Sequence, residues 1–226
     1  GVTATWWYTA VGVAFFVAIT ALFWILWAWA APALDAPWRF PLSIAGSVAW
    51  IAASILLLLD YRPSVLAARD GERHPPSTLT MAGFVLAALG AILLGLGTSS
   101  LLAAAAVVAF VLSVRPWTPG VRWRVVVGAT LLVLVLVFVE ASAFATQGIP
   151  VSAFSAPAFF VLMVPSMTAF SLWWWEIVLE LDWARTAESQ LAATRVRLRL
   201  ANDVHDLQGH HLQVIALQLE LAERLL

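Results

Sequence analysis

The sequence predicts an all-α integral membrane protein, with six transmembrane helices followed by one long helix outside the bilayer. Three observations predict it. The 226 residues are 62% hydrophobic with a mean hydropathy of +0.92 and only 11% charged, whereas a soluble domain is about 45–50% apolar and about 25% charged. Long apolar runs recur along most of the chain, where a soluble fold would alternate. After Leu179 the composition turns polar and loses its helix breakers, since no proline follows Pro165 and Gly209 is the only glycine beyond Gly148. A net charge of −1 excludes a broadly basic nucleic-acid binder, and the absence of cysteine excludes disulfides, thiol catalysis and thiolate metal sites. All twelve basic residues are arginine, as in proteins of high-GC bacteria.

The expected spans are Trp6–Ala31, Leu42–Leu59, Leu79–Leu96, Ser100–Val114, Trp123–Ala145 and Phe154–Leu179. The first has no basic residues before it and no small-residue cleavage site after it, so it reads as a retained helix rather than a signal peptide. A single span over residues 79–114 would be far longer than the roughly 20 residues that cross a bilayer. Gly97-Thr98-Ser99 therefore marks a tight hairpin between the third and fourth. Arginine placement sets the orientation. Arg62, Arg69, Arg73, Arg115, Arg122 and Arg124 fall on one side and Arg39 alone on the other, which puts both termini in the cytoplasm. A five-span chain would place one arginine group outside. Trp6, Trp7, Trp27, Trp29, Trp123 and Trp173–Trp175 stand at span ends and are expected as interface anchors. The outer connections are too short for a folded sensor domain. The expected location is a bacterial cytoplasmic membrane, with the lipid bilayer as the surrounding partner.

Residues 180–226 are expected to continue the sixth span as a helix reaching roughly 70 Å, which needs a partner to be stable. Leu191, Thr194, Leu198 and Ala201 follow the three- and four-residue steps of a coiled coil. The phase carries on through His205, Gln208, Leu212, Ile215, Leu219, Ala222 and Leu226. A second stripe of Val204, Leu207, Val214 and Leu221 widens the apolar face to that of a four-helix bundle. The tail therefore predicts a homodimer.

A histidine followed by an aspartate sits in that tail, within Arg197-Leu198-Arg199-Leu200-Ala201-Asn202-Asp203-Val204-His205-Asp206-Leu207-Gln208-Gly209-His210-His211-Leu212. A neutral imidazole keeps one ring nitrogen as a free nucleophile, and the neighbouring Asp206 carboxylate can hold the proton on the other. Ala201 and Gly209 lie one turn before and after His205 and clear room for an approaching domain. A glycine inside a helix costs about 1 kcal/mol relative to alanine, so access explains Gly209 better than folding does. Asp206 and His210 are also i, i+4 neighbours. His205, His210 and His211 do not converge on one ion at their spacing, so no metal site is expected.

This run resembles the dimerisation and phosphoacceptor motif of sensor histidine kinases of the DesK-like, NarL-partnered subgroup. The match rests on Arg197, Arg199, Ala201, His205, Asp206, Gly209, His210 and Leu212, and covers about 30 of the 226 residues. Val196, Asn202 and Gln208 depart from the family pattern. The resemblance implies His205 as phosphoacceptor, Asp206 as the orienting base and His210 as the residue that supports dephosphorylation of the partner regulator. Arg197, Arg199, Ala201 and Gly209 would serve partner docking. It implies ATP and Mg2+, held by an ATP-binding domain that this stretch lacks, a response regulator of the NarL type, and no direct nucleic-acid contact. The implied domains are a membrane sensor over 1–179, a coiled-coil signalling helix over 180–200, and the incomplete first helix of the dimerisation and phosphotransfer domain over 201–226. Glu140, a carboxylate inside the fifth apolar run, is a candidate for intramembrane sensing. The competing classes are a small polytopic transporter and a non-catalytic membrane adaptor with a dimerising tail.

Overall fold

Within hydrocarbon a backbone N–H or C=O finds no water, so a chain this apolar must close its hydrogen bonds within each segment, as helices do. The structure, a computed structural model, describes residues 1–30, 36–69, 77–148 and 151–225. Its regular elements are α1 (Val2–Ala30), α2 (Arg39–Arg69), α3 (Thr78–Thr98), α4 (Leu101–Val114), α5 (Pro119–Thr146) and α6 (Val151–Leu225), with no strand among the described residues. Five of these helices are long and apolar enough to cross a membrane, and α4 is a shorter apolar helix. With 14 residues, α4 reaches about 21 Å, short of a hydrocarbon core about 30 Å thick.

Several helix boundaries differ from the sequence reading. Helix α2 runs ten residues past the expected end at Leu59, so Arg62 and Arg69 lie in a helix and not in a loop. Pro63 sits inside this extension, where its missing N–H would weaken the turn. Ser64 reinforces that turn by donating its hydroxyl to the Asp60 carbonyl oxygen at 2.8 Å. Helix α5 begins at Pro119, a residue whose fixed φ suits a first turn, and so includes Arg122 and Arg124. Arg73 and His74 lie outside the described residues.

The α3–α4 turn is built from serines. Ser99 takes a left-handed conformation, with φ 52°, and closes α3, while the Ser100 N–H returns to the Gly95 carbonyl oxygen at 3.2 Å. Ser100 then caps α4 by accepting from the Ala103 N–H at 3.2 Å. The chain can reverse here in two residues.

The chain divides into two compact units, Gly1–Glu176 and Ile177–Leu226. In the first, α2 and α3 form the most extensive helix pair. Gly83, Gly90 and Gly97 recur every seventh residue on α3 and face α2. A Cβ at Gly97 would stand 2.5 Å from the Ser43 nitrogen, one at Gly90 would stand 3.1 Å from the Trp50 nitrogen, and one at Gly46 of α2 would stand 2.6 Å from the Leu94 nitrogen. The two backbones therefore touch directly, the arrangement by which helices associate in lipid without a hydrophobic drive. The second small-residue stripe, Ala87, Ala91 and Gly95, faces α4, since a Cβ at Gly95 would lie 3.3 Å from the Ala104 Cβ. In the second unit every described side chain from Glu180 onward is exposed except half-buried Gly209. Leu191, Leu198, Val204, Leu207, Leu212, Val214, Ile215 and Leu221 are among the exposed ones.

The glycine contacts give a contrast to measure. Gly46→Ala and Gly97→Ala each drive a methyl group into backbone, an overpacking that costs about 1–3 kcal/mol or more. Gly12→Ala and Gly128→Ala meet nothing within 4 Å. Thermal unfolding and size-exclusion profiles of the solubilised protein should show the first pair destabilised and the second pair at or above wild type. Equal behaviour of the four would contradict the close packing of α2 on α3.

Candidate functional site

Three polar side chains from three helices meet inside the first unit. Arg122 of α5 forks onto Glu176 of α6, with Nη1 donating to Oε2 at 2.5 Å and Nη2 to Oε1 at 2.8 Å. Tyr61 of α2 completes the set. Its hydroxyl donates to Glu176 Oε1 and accepts from Arg122 Nη2 at 2.5 Å. The Arg122 side chain is 6% exposed and that of Glu176 27%. Two parallel charge-assisted bonds to one carboxylate make a strong and directional contact. An aromatic stack flanks it: the buried rings of Trp6 and Tyr61 lie nearly parallel with centroids 6.1 Å apart, and Trp175 tilts against Trp6 at 4.7 Å.

The cluster changes the reading of the tryptophans. Trp7, Trp29, Trp123 and Trp174 are exposed, as interface anchors should be, but Trp6, Trp27 and Trp175 are buried in the bundle. Helical geometry explains the split, because consecutive residues point about 100° apart and only one member of each run can face outward.

Glu140 is also buried, and its partners are backbone and hydroxyl. Ser100 donates to Oε2 at 2.6 Å and the Leu102 N–H donates to Oε1 at 2.8 Å. The carboxylate thus stands at the first turn of α4, where orphan N–H groups and the helix dipole favour negative charge. This geometry gives Glu140 a capping role. Asp60 does similar work at the start of α3, accepting from Ser77 Oγ and Thr80 Oγ1 at 2.5 Å each, while Ser77 caps the Thr80 N–H at 3.1 Å.

In the second unit α6 holds Arg197, Arg199, Ala201, His205 and Gly209 in one helix. Arg197, Arg199, Ala201 and His205 are exposed, and a Cβ at Gly209 would meet nothing within 4 Å. The side chains of Asp206, His210 and His211 lie outside the described residues. Glu140 belongs to the first unit and the tail candidates to the second.

Sequence reasoning missed the Arg122–Glu176–Tyr61 cluster. Arg122 reads in sequence as a topology marker, and Glu176 stands near the end of the last apolar run. A signal was present: each adjoins a tryptophan, Trp123 and Trp175, on apolar segments separated by 54 residues.

Two predictions follow from these geometries. Removing Glu176 strands a buried guanidinium that cannot lose its proton, whereas removing Arg122 leaves a partly exposed carboxylate that can take one up. Glu176→Ala should therefore lower the unfolding temperature more than Arg122→Ala, with a cost of about 3–5 kcal/mol for the stranded charge. Arg122→Leu/Glu176→Leu should be milder than Glu176→Ala alone. The reverse order in thermal unfolding would refute the buried fork. At the other site, Glu140→Leu leaves the Ser100 hydroxyl and the Leu102 N–H unpaired, at about 1–3 kcal/mol, while Glu140→Gln keeps an acceptor and should cost distinctly less by the same measurement.

The sequence matches no protein-family model, and neither a curated protein nor a solved structure matches it.

Proposed function

We propose that this chain is the membrane-embedded sensory part of a homodimeric histidine kinase of a two-component system, with His205 as the phosphoacceptor. The observation that carries the reading is the run Arg197–Leu212. It combines the His-Asp pair with small residues one turn either side, it lies within the single helix α6, and its imidazole is exposed.

In this reading the apolar helices of the first unit, α4 included, form six spans in a bacterial cytoplasmic membrane, with both termini in the cytoplasm. Arg62, Arg69, Arg115, Arg122 and Arg124 then share the cytoplasmic side, as the positive-inside rule expects. The tails of two copies pair along Leu191, Leu198 and Leu212, which removes their exposed apolar stripe from water.

The chemistry asked of this chain is small. One ring nitrogen of His205 forms a bond to the terminal phosphorus of ATP as the bond from that phosphorus to the bridging oxygen breaks and ADP leaves. Asp206 holds the N–H on the far side of the ring, which stabilises the imidazolium as charge develops. ATP and Mg2+ come with a separate ATP-binding domain, which supplies the phosphoryl group. Ala201 and Gly209 leave space for that domain and, afterwards, for a response regulator that takes the phosphoryl group onto an aspartate. Arg197 and Arg199 offer charge to either visitor, and His210 would help position the water that later hydrolyses the regulator's phosphate.

Incubating the whole chain with a kinase ATP-binding domain of this subgroup, Mg2+ and ATP labelled at the terminal phosphate should give acid-labile, alkali-stable label. His205→Gln should abolish it. Label that persists in His205→Gln, or no label on the wild-type chain while the same domain phosphorylates its own helix, would overturn the reading.

A further inference from the structure

Helix α6 is the one element common to the apolar bundle and the tail, so whatever fixes α6 in the bundle bears on the tail. Within the first unit its last two residues are both engaged. Trp175 is buried against Trp6, and Glu176 is forked by Arg122 and bonded by Tyr61. The first unit ends at Glu176. Upstream, Pro157 and Pro165 lie inside α6. Each removes a backbone donor and loosens the helix locally.

The cohesion of α6 differs in kind from that of α2 and α3. Those two touch backbone to backbone at Gly46, Gly90 and Gly97, and cannot slide without collision. Helix α6 is joined to α5 through a charged fork, and its ring contacts with α1, such as Phe23–Phe160 at 4.5 Å, are between side chains that can change rotamer. A fork has two discrete states, made and broken. Breaking it strands a guanidinium only 6% exposed, while the carboxylate, at 27%, already has access to the surface. The open state is thus higher in energy yet reachable from the Glu176 side, as a two-state element requires.

We propose that Arg122, Glu176 and Tyr61 form a latch that fixes the rotation of α6 at the end of the bundle, and that opening it is the step that changes phosphorylation at His205. The latch rests on the kinase reading above, and His205 lies 29 residues beyond Glu176 on the same helix (205 − 176).

The absence of native cysteine makes the test direct. The Trp123 and Trp173 rings lie 6.4 Å apart across α5 and α6, and Trp27 and Phe144 lie 5.2 Å apart across α1 and α5. Trp123→Cys/Trp173→Cys reports on the latch, and Trp27→Cys/Phe144→Cys reports on the other end of α5, where both rings also meet Phe154 of α6. Cross-linking of whole chains in liposomes with a short bifunctional thiol reagent is compared between wild type, Glu176→Gln, and the neutral double variant Arg122→Gln/Glu176→Gln. The double variant removes the stranded charge, so it separates unlatching from misfolding. In both variants the α5–α6 cross-link should slow by about three- to tenfold, the range such interhelical polar contacts are worth, while the α1–α5 cross-link stays at the wild-type rate. An unchanged α5–α6 rate in the double variant, or loss of both cross-links, overturns the latch. In the native background the label on His205, with the ATP-binding domain supplied, should shift at least threefold in the double variant. An unchanged label beside a slowed cross-link overturns the regulatory role while leaving the kinase reading intact. Label that persists in His205→Gln overturns that reading and leaves the cross-linking result standing.

Discussion

The fork between Arg122 and Glu176 is the contact on which the arrangement of the first unit turns. In water, helices with apolar faces are driven together by release of solvent. In lipid that drive is absent, because hydrocarbon is as good a neighbour for leucine as another leucine is. What remains is close van der Waals approach and the need of each polar group for a partner. Helix α5 shows how sharp that need is. Its buried face is the narrow stripe Arg122, Val126, Ala129, Val133 and Glu140, with steps of three, four and seven, and most of its remaining apolar surface is exposed. The stripe is apolar in the middle and charged at both ends. One end is tied to α6 and α2 through Glu176 and Tyr61, the other to α4 through Ser100 and the Leu102 N–H. With so little buried area between them, the end contacts fix which face of α5 turns inward.

The same economy explains the short helix. An α4 of 14 residues would bring its first N–H groups into apolar surroundings without a partner. Glu140 meets two of those needs at once, as partner to the Leu102 N–H and as negative charge at the positive end of the helix, and Ser100 meets a third. Asp60, Glu140 and Glu176 are thus placed at helix starts or opposite arginine. The α2–α3 pair adds one such carboxylate, Asp60 on Ser77 and Thr80, to the close approach that glycine gives the backbones. Cohesion by glycine contact is rigid, and cohesion by a charged fork is switchable. The rigid kind joins α2 to α3, and the fork joins α6 to α5 with Tyr61 of α2 as its third member.

Much of the helix inventory was legible because an apolar run needs only its own residues to declare itself. The turn at Gly97-Thr98-Ser99 was legible for the same local reason, and the structure puts the reversal at Ser99 and Ser100. What the sequence hid was pairing at a distance. The run of α2 ends at Asp60, which looks like a boundary until Ser77 and Thr80 of another helix satisfy its carboxylate. Arg122 and Glu176 look like interface charges for the same reason, being 54 residues apart. The seven-residue glycine spacing on α3 was overshadowed by the four-residue stripe of Ala87, Ala91 and Gly95, which packs on a different neighbour. In the tail, the motif around His205 is visible in sequence as a pattern of residue types, but the proton-holding contact it implies depends on the Asp206 side chain, which lies outside the described residues.

Exposure of apolar surface means opposite things in the two units. Phe138 and Leu131 on α5, or Val85 and Ile92 on α3, are exposed from segments apolar enough to sit in a membrane, and there lipid is their natural solvent. Leu191, Leu198, Leu212 and Ile215 are equally exposed, yet each stands among Arg195, Arg197, Arg199, Asp203 and Gln208 on a helix far too polar for hydrocarbon. Water is the only solvent compatible with those charges, and it is a poor one for the leucines. A helix of this kind is stable only when its apolar stripe is covered. The stripe keeps the three- and four-residue step of a coiled coil from Leu191 to Ile215, so a second copy of the same helix can cover it in register. That requirement is independent of the histidine motif. The argument for a paired tail therefore stands apart from the function proposed for His205.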